Sequence, residues 1–231
     1  MEKKIDIVRW AESPIGFYVD RWYNAETGLW IPEQVPIRLA PYHADLLRHC
    51  FTADEKGRLP YDTIAWCEPA KSGKSAIAGL VAQFAALHGD SNSSVVMASN
   101  KRDQAASIMY ASFAESVRMN PALRIQPGKT ATDMPNGNTV KAIPSNSRGE
   151  AGARFSLALF DELWAYVYQE EDRLWTEFKT DPTRQNSVKM AVGYAGYTGE
   201  SILWQELLEL GLKGELVPEL AHITNQGEPA C

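Results

Sequence analysis

Residues 68–75 read Glu68-Pro69-Ala70-Lys71-Ser72-Gly73-Lys74-Ser75 and carry the side chains needed to hold a polyphosphate. A glycine lets the chain turn so that main-chain N–H groups converge on anionic oxygens. A lysine adds a point charge for the β- and γ-phosphates, and a serine hydroxyl can ligate Mg²⁺. Gly73-Lys74-Ser75 fits the end of the phosphate-loop pattern G-x-x-x-x-G-K-[ST], while Glu68 stands where that pattern has its first glycine. The tripeptide alone carries little information, since chance supplies about 0.1 copies in a chain of this length. Its setting carries more. An apolar run at 62–67 (DTIAWC) precedes it as a strand, and the Ala- and Leu-rich run at 74–88 follows as a helix. A lysine opening a helix opposes the helix dipole unless an anion is bound there.

A phosphate loop needs an acidic partner near the metal. The run Leu157-Ala158-Leu159-Phe160-Asp161-Glu162 supplies one at the end of an apolar strand. Asp161 at the strand tip is a candidate Mg²⁺ ligand, directly or through water. Glu162 points to the opposite side and is a candidate base for the water that attacks the γ-phosphorus. Charge on the transferring phosphoryl group calls for an arginine. The candidates are Arg148 and Arg154, just before the acidic strand, with Lys71 a weaker one.

The elements that must position these groups alternate between types. Strands are expected at 93–99, 155–160 and 187–193, and helices at 42–51, 101–118, from 161 through 179, and 200–210. Asn136-Gly137 marks a hairpin. Residues 1–40, rich in Trp, Tyr and Pro without a clear period, read as an extended N-terminal arm around a larger body. Alternating strands and helices imply right-handed crossovers and a mostly parallel sheet covered on both faces. The fold class is therefore α/β: a P-loop NTPase of the ASCE/RecA-like type, a three-layer sandwich with a mostly parallel central sheet.

The chain has 231 residues, of which 45% are hydrophobic and 23% charged, enough for one or two packed domains without staples. The longest apolar stretch, 76–87, is too short for a membrane span, and residues 1–10 lack the apolar core of a signal peptide. Cys50, Cys67 and Cys231 form no CxxC pair and read as reduced thiols rather than a zinc site. Net charge is −6, which disfavours a protein that coats nucleic acid. Residues 101–160 are nevertheless net basic, with eight Lys/Arg against four Asp/Glu, and residues 201–231 are net acidic, with one Lys against five Glu.

Taken together, the motifs resemble the ATPase domain of the large terminase subunit, the DNA-packaging motor of tailed bacteriophages. The resemblance covers roughly residues 30–215 and rests on five segments. Pro41-Tyr42-His43 precedes a helix where the family has an aromatic residue and Gln near the adenine. AKSGKS is similar to the family's deviant phosphate loop, with a basic residue before GKS. VVMASNKRDQA resembles its strand and Arg-x-Gln-Ala helix start, LALFDELWAY its acidic strand, and AVGYAGYTGES its coupling segment. The resemblance implies nucleotide contacts from Pro69 to Ser75 and from Tyr42 and His43. It also implies coupling through Tyr194, which stands at the coupling Thr, or through Thr198. Arg148-Gly149 looks like the family's Arg-Gly.

The implied activity is hydrolysis of ATP with Mg²⁺, coupled to translocation of double-stranded DNA into a procapsid. Implied partners are double-stranded DNA, the viral portal and the small terminase subunit. A homo-oligomeric ring is expected when assembled and a monomer when isolated, with no membrane partner. The implied location is the host cytoplasm, transiently at the procapsid portal. Residues 1–212 are expected to form the ATPase domain and 213–231 an acidic linker-like tail, with the family's nuclease domain absent. A helicase or repair-type P-loop ATPase acting on nucleic acid is the alternative. A small-molecule or nucleotide kinase is disfavoured by the Asp161-Glu162 pair, and a non-catalytic scaffold by the intact Lys74, Ser75, Asp161 and Glu162.

Overall fold

The computed structural model describes residues 5–99, 108–144, 155–166, 169–179, 184–196, 201–225 and 228–229. In chain order the elements are α1 (Ile7–Ala11), β1 (Tyr18–Asn24), β2 (Leu29–Pro36), α2 (Pro41–Phe51), β3 (Thr63–Cys67), α3 (Lys74–His88) and β4 (Ser94–Ser99). They continue with α4 (Ile108–Met119), β5 (Ala131–Asp133), β6 (Thr139–Pro144), β7 (Phe155–Asp161), α5 (Gln169–Glu177), β8 (Val188–Gly193) and α6 (Ile202–Leu212). A 3-10 turn, Leu163–Ala165, follows β7.

Six strands form one sheet in the order β3-β8-β7-β4-β6-β5. All neighbouring pairs are parallel except β5 with β6, which close an antiparallel hairpin. That hairpin turns at Asn136-Gly137, with Gly137 at φ 81. Its two asparagines also satisfy the end of α3: Asn136 and Asn138 side-chain amides both donate to the Ala86 carbonyl, at 2.9 and 3.0 Å. Helix ends leave carbonyls without intrahelical partners, and these amides supply one.

Alternate strand residues serve two separate cores, as a sheet covered on both faces requires. Val95 and Met97 of β4, Leu157 and Leu159 of β7, and Met190 and Val192 of β8 pack with α1 to α4. Val96 and Ala98, Ala158 and Phe160, and Ala191 pack with α5 and with Trp204 of α6. This is the expected three-layer sandwich. A register shift separates the pair Ser94–Phe155 from Val95–Leu157, so β7 carries one extra residue, Ser156, at its start. Past that bulge Leu157, Leu159 and Asp161 share a face, the face covered by α3.

The N-terminal segment corrects the expectation of an extended arm. Residues 7–11 form a short helix capped by Asp6, whose side chain accepts from the Arg9 amide at 2.8 Å. Strands β1 and β2 then form an antiparallel hairpin. Ile7, Val8, Trp10, Ala11 and Phe17 are buried in the α3/α4 core. Burial of these apolar groups against α3 and α4 holds the segment as a short helix and a hairpin rather than a continuous extended arm. The anchor is Gly16, whose carbonyl accepts from Gln83 of α3 at 3.3 Å and from Asn120 at 2.8 Å.

Gly16 is held so closely that an added Cβ would stand 2.0 Å from the Trp10 carbonyl oxygen and 2.3 Å from that of Ala11. Both obstacles are main chain and cannot rotate away. Gly16→Ala is expected to lower the unfolding free energy by roughly 1–3 kcal/mol, the usual range for overpacking, read as a lower urea midpoint at unchanged slope.

Candidate nucleotide-binding and hydrolytic site

The phosphate-loop candidate joins β3 to α3, as its sequence setting requires. Two residues turn it through left-handed conformations, Lys71 at φ 66 and Gly73 at φ 98. Nothing lies within 4 Å of a Cβ added at Gly73, so backbone conformation alone favours glycine there. The Gly73 carbonyl accepts from Ala76 and Ile77 at 2.9 and 3.1 Å and starts the helix. The first amides of α3, including those of Lys74 and Ser75, then have no intrahelical acceptor and form an anion-binding terminus.

Lys74 is buried, at 7% exposure. Its ammonium donates to the Pro69 carbonyl at 2.8 Å and lies 5.9 Å from the centre of the Tyr194 ring. The loop thus encircles its own cation. Pro69, Ala70 and Lys71 are exposed, Ser72 and Ser75 partly so.

Glu68, at the position of the pattern's first glycine, is bonded into the fold. One of its oxygens accepts from His43 Nε2 at 2.7 Å and from the Trp66 indole at 2.8 Å. Trp66 and Glu68 stand two residues apart at the end of β3, so both face the same way. The second oxygen and the Ser72 hydroxyl are buried without a formed hydrogen bond, yet the hydroxyl is near enough to favour the ionised carboxylate. Burial pushes the Glu68 carboxyl up, but the hydrogen bonds from His43 and Trp66, the nearby Ser72 hydroxyl and the His43 charge outweigh it and hold it below its ordinary value. His43 is buried, and its ring is in contact with that of Tyr42, centroids 4.1 Å apart, with Tyr42 37% exposed. The two residues singled out for the base therefore differ: Tyr42 offers an open face, and His43 braces the loop.

Asp161 ends β7, and Glu162 follows in a left-handed conformation, φ 52, that stops the strand. The Glu162 amide donates to the Val192 carbonyl at 2.7 Å. Its carboxylate accepts the Trp164 indole N–H. Burial drives the Asp161 carboxyl up to about 6; the neighbouring Glu162 charge adds to this and the Lys74 charge opposes it. A buried acid beside a second acid, relieved only by one lysine, is an environment that a bound divalent cation would neutralise. Asp161 with the Ser75 hydroxyl suits Mg²⁺, which takes few protein oxygens and keeps several waters. Among the described residues no larger group of His, Cys, Asp and Glu could hold a metal.

Strand β8 lies between β3 and β7 and joins the two motifs. Its Gly193 carbonyl accepts the Glu68 amide at 3.0 Å, one residue from where Val192 receives Glu162. Tyr194 comes next. Its ring lies 4.7 Å from that of Trp164, and its carbonyl accepts the Trp204 indole at 3.0 Å. The structure thus brings together the loop, Lys74, Asp161, Glu162, Tyr42, His43 and Tyr194. Arg148, Arg154 and Thr198 lie outside the described residues. Sequence reasoning passed over Trp66 and Trp164. The spacing of Trp66 to Glu68 and of Trp164 to Glu162, two residues each, was the available signal.

The solved large terminase of bacteriophage HK97 is similar to this chain, at 19% identity and a TM-score of 0.65, over 90% of this chain and 41% of that one. The chain thus spans less than half the length of that protein, and the likeness is one of fold. The large terminase ATPase domain of Thermus phage P74-26 matches at 15% identity over 70% of each chain, with a TM-score of 0.46. No family model matches the chain, and no curated protein does.

A depressed acid contributes stability that is present above its unfolded value, 4.5 for Glu68, and is lost as pH falls through the lower folded value. Glu68→Gln is expected to remove this acid-side component. The variant should be less stable than the unsubstituted protein at pH 7, with the difference shrinking below pH 4.5, as measured by urea unfolding across that range.

Proposed function

We propose that this chain is the ATP-hydrolysing motor domain of a viral DNA-packaging terminase, coupling MgATP hydrolysis to movement of double-stranded DNA into a procapsid. The observation that carries the ATPase reading is the meeting, across β8, of a buried loop lysine with an adjacent pair of acids at a strand end. The fold likeness to a phage large terminase supports the packaging role.

In this reading the α3 terminus and Lys74 hold the phosphates, the ammonium exchanging the Pro69 carbonyl for phosphate oxygens. Tyr42 takes the adenine face. Ser75 and Asp161 would hold Mg²⁺, which would supply charge neutralisation to the phosphates. Glu162 accepts a proton from water as the water oxygen bonds to the γ-phosphorus and the bond to the bridging oxygen breaks, releasing ADP. Tyr194 and Thr198 are assigned to coupling. The partners are double-stranded DNA, a portal and a small terminase subunit, in a ring of like chains in the host cytoplasm.

Two variants test the hydrolytic site. Lys74→Ala should abolish hydrolysis and weaken ATP binding. Glu162→Gln should keep ATP binding within about threefold of the unsubstituted protein while lowering kcat by at least about 100-fold, since an amide cannot take the proton. Turnover at the unsubstituted rate in either variant would falsify the assignment. Binding is followed with a fluorescent ATP analogue and turnover by phosphate release, each with and without double-stranded DNA.

The charge-stabilising arginine is assigned to Arg148, contributed by the neighbouring chain of the ring, with Arg154 bracing the sheet or loop. Arginine fingers contribute roughly 10³–10⁵ in rate. Activity per chain should therefore rise steeply with protein concentration. Mixing inactive Arg148→Ala chains with inactive Lys74→Ala chains should restore phosphate release. A mixture that stays inactive places the arginine in the same chain or elsewhere.

A further inference from the structure

Glu162 is held at three points. Its amide is fixed to Val192 of β8, its backbone is turned by φ 52, and one carboxylate oxygen accepts the Trp164 indole N–H. The Trp164 ring is itself confined. The Tyr194 ring lies 4.7 Å from it, and Gly196 passes so close that a Cβ there would stand 2.7 Å from Trp164 Cβ. Gly193 supplies the space in which these groups meet: a Cβ built on it would lie 3.5 Å from Trp164 Cδ1 and 3.6 Å from Glu162 Oε2. An indole N–H donates one hydrogen bond, accepts none and does not titrate. It can orient a carboxylate without competing for the proton that the carboxylate receives.

We propose that Trp164 is a positioning residue of the hydrolytic site, its indole holding one oxygen of Glu162 so that the other receives the proton of the attacking water. The proposal rests on the reading of Glu162 as the base. Catalytic groups held by a second hydrogen bond lose effectiveness when that bond is removed, because the productive orientation then competes with other rotamers. Tyr194 and Trp164 together form a continuous aromatic link from Lys74 to Glu162, the ammonium lying 5.9 Å from the first ring and the carboxylate bonded to the second.

Trp164→Phe keeps an aromatic ring against Tyr194 and removes the N–H donor together with the five-membered part of the indole. With saturating MgATP and at a protein concentration where the unsubstituted chain turns over, kcat should fall about tenfold with KM unchanged. A kcat that is unchanged or higher, or a loss confined to KM, overturns the positioning role while leaving the ATPase reading intact. No hydrolysis by the unsubstituted protein overturns both. The contact has its own readout, independent of turnover and of the fold of the Phe variant. In the nucleotide-free protein the Trp164 indole N–H resonance should lie downfield and move upfield in Glu162→Gln, with the other indole resonances in place. An indole resonance indifferent to that substitution overturns the contact on which the proposal stands.

Discussion

The site depends on one strand that carries none of its charged groups. Strand β8 separates β3 from β7, and its last carbonyls receive the first loop amide and the Glu162 amide, at 3.0 and 2.7 Å. Parallel strands end together, so a central strand of this kind aligns the tips of its neighbours. The spacing between Lys74 and the two acids is therefore set by a hydrogen-bonded ladder rather than by loops. The same alignment puts Gly193 and Tyr194 between the two motifs, where any change in one reaches the other through main chain.

The charges around this ladder form an unequal set. Lys74 is one buried cation facing Asp161 and Glu162, and Glu68 is a further acid at the base of the loop. One Glu68 oxygen is bonded to His43 and Trp66, and the carboxyl is held below its ordinary value; Asp161 is driven up to about 6 by burial and the Glu162 charge. Two carboxyls near the loop that ends in Gly73-Lys74-Ser75 thus have opposite environments. The first stiffens the loop through α2, and the second has need of a cation. Burial is costly for an ionised acid, and a bound metal would offset that cost.

Much of this was legible in the residues. The run from Lys74 to His88 reads as a helix because it is rich in Ala and Leu, and α3 has those bounds. The buried strands read equally well, as did the Asn136-Gly137 hairpin. The short helix 7–11 did not, because five residues are too few to show a period, although Asp6 offered a capping signal. Glu68 read as a missing glycine because its partners, His43 on α2 and Trp66 on β3, come together only in the folded chain. The place of β8 in the sheet was likewise invisible: chain order gives connectivity, and strand order is decided by how the helices pack.

The bulge at the start of β7 has a consequence for how such a chain can vary. Ser156 is the extra residue, and the ladder with β4 is regular from Leu157 to Asp161. A residue gained or lost within a regular strand would rotate every later side chain to the opposite layer, exchanging the places of Asp161 and Glu162. A bulge takes up such a change locally. Differences in chain length upstream of β7 can thus end at Ser156 and leave the phase of the acids untouched. The placement of Asp161 and Glu162 is thereby insulated from changes in the length of the chain that precedes the strand.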